Sequence, residues 1–266
     1  MSSAIKLLLL PLLVAQAKRA RGRAPKLGEA EGPRSGSVGG GPLLRLLVVG
    51  DSSAAGVGVA TQDRALALPL SRTLAARAGV RVEWQLVART GLASADAQAL
   101  LEQASPLECD VAVVVLGVND VVAQVLSQRA VAERSRLADW LLANTGARHV
   151  CFSPLPPMHQ FPLLPQPLRW IAGRDARRLD SAWSRWAATR DDVSHVSIAI
   201  DLAPDAMAAD GFHPGEPVYR VCAQALAGHV ADDVWPRIRP VSTPSATPAA
   251  CPSSRSPHTS DSLPSP

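Results

Sequence analysis

Cysteine is scarce in this 266-residue chain: the four present form no CxxC and no Cys/His ligand spacing, which argues against structural zinc. Cys109, Cys151 and Cys222 fall in apolar strand or helix patterns and are expected as buried free thiols. Cys251 stands in a Pro/Ser-rich tail. A bilayer-length apolar run is missing too. The N-terminal stretch Ile5 to Ala17 has about 13 residues, where a spanning helix needs about 20. The body of the chain also lacks excess positive charge. Residues 43–235 hold 17 Lys/Arg against 20 Asp/Glu, so the net positive charge sits in the termini and a basic nucleic-acid platform is excluded. Nucleotide fingerprints are absent: Gly56-Val57-Gly58 lacks the third glycine, and no GK[ST] follows. No internal repeat is present.

What is there divides into three parts: residues 1–42, a domain over 43–235, and a Pro/Ser-rich tail over 236–266 whose composition predicts disorder. Lys6, the short apolar run and Ala15-Gln16-Ala17 fit a signal peptide with an A-x-A cleavage site. Lys18, Arg19, Arg21, Arg23 and Lys26 follow at once, and such a cluster favours retention on the cytoplasmic side. A greasy patch beside a basic cluster also suits a segment lying on anionic lipid, so residues 5–26 are expected to associate with a membrane surface. A bacterial-type cytoplasmic or inner-membrane-associated protein is the favoured expectation, with export as the alternative. Residues 28–42 read as a Gly-rich linker.

From Leu43 onward strand and helix patterns alternate. Leu43 to Val49 is apolar apart from Arg45, as in a strand buried on both faces. Arg81–Val87, Cys109–Leu116, His149–Phe152 and Val193–Ile200 supply four more strands. Helical spacing covers Asp63–Ala78 (with Pro69 predicting a kink), Ser94–Gln103, Ala130–Asn144, Arg169–Arg190 and Glu216–Val230. The fold class is therefore α/β: a three-layer α/β/α sandwich on a five-stranded parallel sheet, flavodoxin-like. In such a sheet the turns after the first three strands share one edge, where open α/β sheets place ligands. Ser52, Gly91 and Asn119 can therefore meet there. Ser52 at its turn is well placed for a nucleophile, and as a residue type it also suits a helix N-cap.

Four blocks in order give this pattern a family likeness. Gly50-Asp51-Ser52, Gly91, Gly117-Val118-Asn119-Asp120 and Asp210-Gly211-Phe212-His213-Pro214 resemble the blocks of the SGNH (GDSL-type) hydrolases over roughly residues 43–235. Ser53 stands where that family usually has Leu, and Ala88-Arg89-Thr90-Gly91 is a loose match. No G-x-S-x-G elbow surrounds Ser52, which separates the chain from the α/β-hydrolases. The resemblance implies that Ser52 attacks an acyl carbonyl and that His213 takes its proton. Asp210 would orient the imidazole, and the Ser52 and Gly91 N–H groups with the Asn119 amide would hold the oxyanion. It implies neither metal nor cofactor. Taken singly, Asn119 could cap a helix, Gly91 and Asp210-Gly211 could shape turns, and His213 could be a loop histidine. Asp51 and Asp120 are expected to be structural. His149, His195, His229 and His258 are given no catalytic role, whereas His159 could edge the pocket.

Ser153 to Leu168 holds six prolines, which exclude regular structure, and Met158, Phe161 and Leu163 within it are the expected substrate contacts. The loop could equally pack on the following helix. The reading is a serine esterase or thioesterase acting on acyl or lipid substrates, with lysophospholipase or thioesterase character as the resemblance implies. The alternatives are a carbohydrate O-acetylesterase of the same fold and a non-catalytic module binding an anion at a helix N-terminus.

Overall fold

Leu44, Leu46, Leu47, Val48 and Val49 are fully shielded from solvent, as a strand covered on both faces requires. Around them the structure, a computed structural model, describes residues 3–239. Two helices come first, α1 (Ser3–Leu8) and α2 (Leu10–Arg23), then strands β1 (Ser35–Gly39) and β2 (Leu43–Gly50). There follow α3 (Ser52–Ala55), α4 (Ala67–Ala78), β3 (Arg81–Ala88), α5 (Ala97–Ala104), β4 (Val111–Val115), α6 (Val118–Val122) and α7 (Ser127–Asn144). The chain continues through β5 (His149–Phe152), α8 (Leu168–Ala187), β6 (Val193–His195), α9 (Glu216–His229) and α10 (Trp235–Ile238).

The sheet order is β1-β3-β2-β4-β5-β6, parallel throughout except for β1, which runs antiparallel to β3. One face is covered by α4 and α9, the other by α5, α7 and the end of α8. The three-layer sandwich is as expected, but the sheet has six strands and not five. The extra strand lies inside the segment read as linker. Ser35-Gly36-Ser37-Val38-Gly39 is an exposed edge in which only Val38 packs on the core, so it carries no apolar alternation to read. The preceding residues are also built in: Glu31 N–H donates to the Ala60 carbonyl, and Gln62 N–H to the Glu31 carbonyl.

Two further expectations change. Pro69 produces no kink, because α4 begins at Ala67 and places it in the first turn, where its missing N–H has no helical acceptor to lose. The last strand stops at His195 rather than running to Ile200. Its only neighbour, β5, ends at Phe152, and Val196 N–H makes the final bond to the Phe152 carbonyl. The tail expected to be disordered from residue 236 starts instead in α10, which runs to Ile238 with Trp235 buried; from residue 240 onward it lies outside the described residues, with Cys251 and His258 in it. Cys109 and Cys151 are buried free thiols, and Cys222 is a partly buried one.

His149, at the start of β5, gives the fold a pH dependence. Burial, with Arg237 and His229 nearby, pushes its imidazole down to about 4. Below its unfolded value of about 6.5 the unfolded chain takes up a proton that the folded chain refuses, so stability falls between about pH 6.5 and 4. His149→Gln is expected to lose less Tm than the wild type between pH 7 and 5 in thermal melts. An equal loss would assign the acid sensitivity elsewhere.

Candidate active site

The register brings the site together. Gly50 pairs with both Ala88 and Val115, so β2, β3 and β4 end level. Ser52, Gly91 and Asn119 lie two, three and four residues beyond those ends and converge on one edge, as the strand pattern predicts. Asp51 caps α3 by accepting from the Ser53 N–H at 2.9 Å. That leaves Ser52, only 8% exposed, as the first helical residue, facing the opening above the sheet.

Asp210 and His213 come from the turn before α9. Asp210 Oδ1 accepts the backbone N–H groups of Phe212 and His213, each at 2.9 Å, which fixes the carboxylate behind the ring. Its Oδ2 lies 2.6 Å from His213 Nδ1, and His213 Nε2 lies 3.0 Å from Ser52 Oγ. Burial pushes the Asp210 carboxyl up, but the His213 ring and the two backbone donors outweigh it and hold the carboxyl below its ordinary value. An ionised Asp210 takes Nδ1–H and leaves the Nε2 lone pair facing the serine hydroxyl. The turn dipeptide thus shapes a loop and orients a ring at once.

Gly91 has φ +81°, and no atom lies within 4 Å of where its Cβ would be. Its conformation selects glycine, while the space beside it is cavity. Among the described residues no acceptor takes its backbone N–H. Asn119 Nδ2 donates to the Leu92 carbonyl at 3.0 Å and reaches Asp51 Oδ2 at 3.4 Å, so its second N–H is only weakly held. Burial pushes the Asp51 carboxyl up to about 6. Asp120 binds the Gly91 loop from below, accepting the Ser94 N–H at 3.0 Å and the Ser94 hydroxyl at 2.5 Å. Gly117, with φ +135° and Trp183 where a Cβ would fall, turns the chain between β4 and Asn119. Arg134 is buried beneath it, stacked 3.4 Å over the Trp183 ring and donating to the Leu116 carbonyl at 2.7 Å. Sequence reading gave Arg134 no role, since an Arg on an amphipathic helix looks like a solvated one.

A cavity of about 660 Å³ opens beside these groups, with Ser52, Gly91, Asn119 and His213 at its wall. Met158, Phe161 and Leu163 line it, and Met158 and Phe161 also pack in the cluster that includes α8. Leu168, Ile171, Leu202 and Met207 add apolar surface. The wall that sequence reading missed is α2, through Ala17, Ala20 and Arg21, with Ala24 just past its end. The spacing of Ala17, Ala20 and Ala24, small residues on one face, was the available signal. His159 is not at the cavity; its Nδ1 faces Arg177 Nη1 at 3.2 Å. A grouping of His149, Cys151 and His229 brings ligand atoms within 4.8 Å of one another, although no sequence spacing announces it. The Ser194 hydroxyl bonds both imidazoles there, toward the amino end of β5 and away from the cavity.

The arrangement sets a hydroxyl within hydrogen-bond distance of an imidazole backed by a carboxylate, with one free and one weakly held donor beside them at an apolar cavity, an arrangement suited to acyl transfer. The sequence profile of the GDSL-like lipase/acylhydrolase family matches residues 48–221. A GDSL-like esterase of Mycobacterium tuberculosis is 31% identical over 241 residues, covering 81% of this chain and 74% of the relative. A lipase from a goat rumen metagenome has a similar fold, with TM-score 0.56 at 16% identity over 70% of this chain and 97% of that one. A family 3 carbohydrate esterase of Clostridium thermocellum gives 0.54 at 16% identity over 74% and 99%. Those two likenesses speak to the fold; the profile and the mycobacterial relative speak to kinship, and by them the chain belongs to the GDSL-like lipase/acylhydrolase family and hydrolyses ester bonds.

Proposed function

We propose that the chain cleaves acyl esters or thioesters through an acyl-enzyme on Ser52. The Ser52–His213–Asp210 hydrogen-bonded chain at the wall of an apolar cavity carries this reading. Ser52 Oγ attacks the carbonyl carbon while its proton passes to His213 Nε2, and Asp210 stabilises the imidazolium. The carbonyl oxygen, now negative, takes hydrogen bonds from the Ser52 and Gly91 N–H groups and from Asn119 Nδ2, which swaps its long contact with Asp51 for the oxyanion. Collapse breaks the bond to the leaving alcohol or thiol, which receives the proton from His213. Water then repeats the sequence on the acyl-Ser52 ester, with His213 as base, and releases the acid.

The cavity supports an acyl chain over a sugar. Its wall is mostly Ala, Val, Leu, Ile, Met and Phe, with Arg21, Lys26, Thr90 and Gln124 among its polar side chains, and each buried methylene contributes about 0.8 kcal/mol to binding. On p-nitrophenyl esters from acetyl to palmitoyl, kcat/KM is expected to rise with chain length to an optimum beyond butyryl. An acetyl optimum would favour the carbohydrate O-acetylesterase reading. A folded protein that hydrolyses no length would count against simple acyl esters as the substrate class.

A further inference from the structure

We infer that α1 and α2 form a docking surface for an anionic lipid bilayer, placed so that the cavity opens at the headgroup level. α2 belongs to the fold. Lys6 Nζ pairs with Asp175 at 2.6 Å, and Gln16 bridges the cis Gln166-Pro167 turn, donating to the Gln166 carbonyl at 2.7 Å and accepting the Leu168 N–H at 3.2 Å. Leu13 and Ala20 are buried beneath it.

The outward side of the same helices is divided along its length. Leu7, Leu8, Leu10, Leu12 and Val14 are exposed, Leu8 to 80%, and span about 12 Å of helix. Lys18, Arg19, Arg21 and Arg23 follow on α2 and Lys26 just past its end, Arg21 and Lys26 at the cavity's edge, and no Asp or Glu occurs before Glu29. Among the described residues none of those five cations has a carboxylate within ion-pair distance, unlike Lys6. An apolar end with a collar of unpaired cations matches a negatively charged interface. The leucines enter the acyl region by the depth typical of interfacial helices, and the cations meet lipid phosphates. A water-facing helix would not leave five large aliphatic side chains unpartnered beside such a collar.

The surface is continuous with the cavity. Ala17, Ala20, Arg21 and Ala24, on the collar half, are cavity wall, so a surface-bound protein presents its opening where lipid esters lie. This delivery step rests on the acyl-ester reading above; the docking itself does not.

The test uses full-length Ser52→Ala protein, which spares the lipid, in co-sedimentation with vesicles. Binding to vesicles of phosphatidylglycerol and phosphatidylcholine is expected to exceed binding to pure phosphatidylcholine at least tenfold, and to fall steeply at 0.5 M salt. The exposed pairs Lys18→Glu/Arg19→Glu and Leu8→Ser/Leu12→Ser, neither of them at the cavity, should each lower the partition coefficient at least tenfold. In the Ser52 background both should keep wild-type hydrolysis of a soluble short-chain ester. Equal binding to both vesicle types would overturn the inference. So would variants that bind like the wild type, self-association through the leucines in place of vesicle binding, or a protein that begins after Ala17 when recovered from its cell. Vesicle binding without ester hydrolysis would retain the docking surface and remove the acyl-ester reading.

Discussion

Replacing Ser52 with alanine is expected to lower kcat/KM on a medium-chain p-nitrophenyl ester by about 10⁴ or more, with Tm nearly unchanged. That factor corresponds to about 5.4 kcal/mol of transition-state stabilisation, far more than one neutral hydrogen bond contributes to stability. The asymmetry follows from where the hydroxyl sits. Its hydrogen-bond partner is His213 Nε2 at 3.0 Å, and the α3 cap is made by Asp51 to Ser53, so removing one oxygen leaves the turn and its backbone donors in place. The residual rate would measure the donors and the cavity alone. Ser53 also lines the cavity and is the control. It makes no hydrogen bond to His213, so Ser53→Ala should retain activity within a few-fold. If Ser52→Ala keeps its rate while Ser53→Ala loses it, the nucleophile has been misassigned by one residue.

Ser52, Asn119, Asp210 and His213 were legible because the residues that aim them are local. A buried strand ending at Gly50, another ending at Val115 and a turn begun by Asp210 each leave their own pattern in the chain, and parallel pairing makes the ends level. The cavity was only half legible. Prolines marked the loop holding Met158, Phe161 and Leu163, but the opposite wall belongs to α2, which lies far away in sequence. An apolar run followed by cations reads alike whether it crosses, leaves or covers; what distinguishes the cases is a long-range contact such as Gln16 to Gln166. β1 was illegible for the opposite reason. An edge strand of Ser and Gly buries almost nothing, so its place is set by the edge of β3, and Gly36 lies against the Trp84 indole. The shortened β6 shows the same dependence: its alternation continues past His195, but pairing stops where β5 does.

Asp210→Asn is expected to cut kcat by about 10³ to 10⁴ while leaving a folded protein. An asparagine oxygen can still accept the Phe212 and His213 N–H groups, so the turn persists. Its NH₂ would then face His213 Nδ1, favouring the tautomer with the proton on Nε2, which points a donor at Ser52 where a lone pair is needed. Asp210→Ala should lose a similar factor and also stability, about 1–3 kcal/mol, because two backbone N–H groups lose their acceptor. The stability effect has a sign in pH. The folded Asp210 carboxyl sits below its ordinary value, so its contribution is present above about pH 4 and is lost as pH falls through the lower folded value. The Tm gap between wild type and Asp210→Ala should therefore be full at pH 7 and narrow in strong acid. Comparing the two variants separates orientation of the ring from support of the turn. If Asp210→Asn stays within tenfold of wild type, the imidazole is held by something other than Asp210. Asp51, itself buried and bonded to Ser53 and Asn119, would then be the next carboxylate to replace.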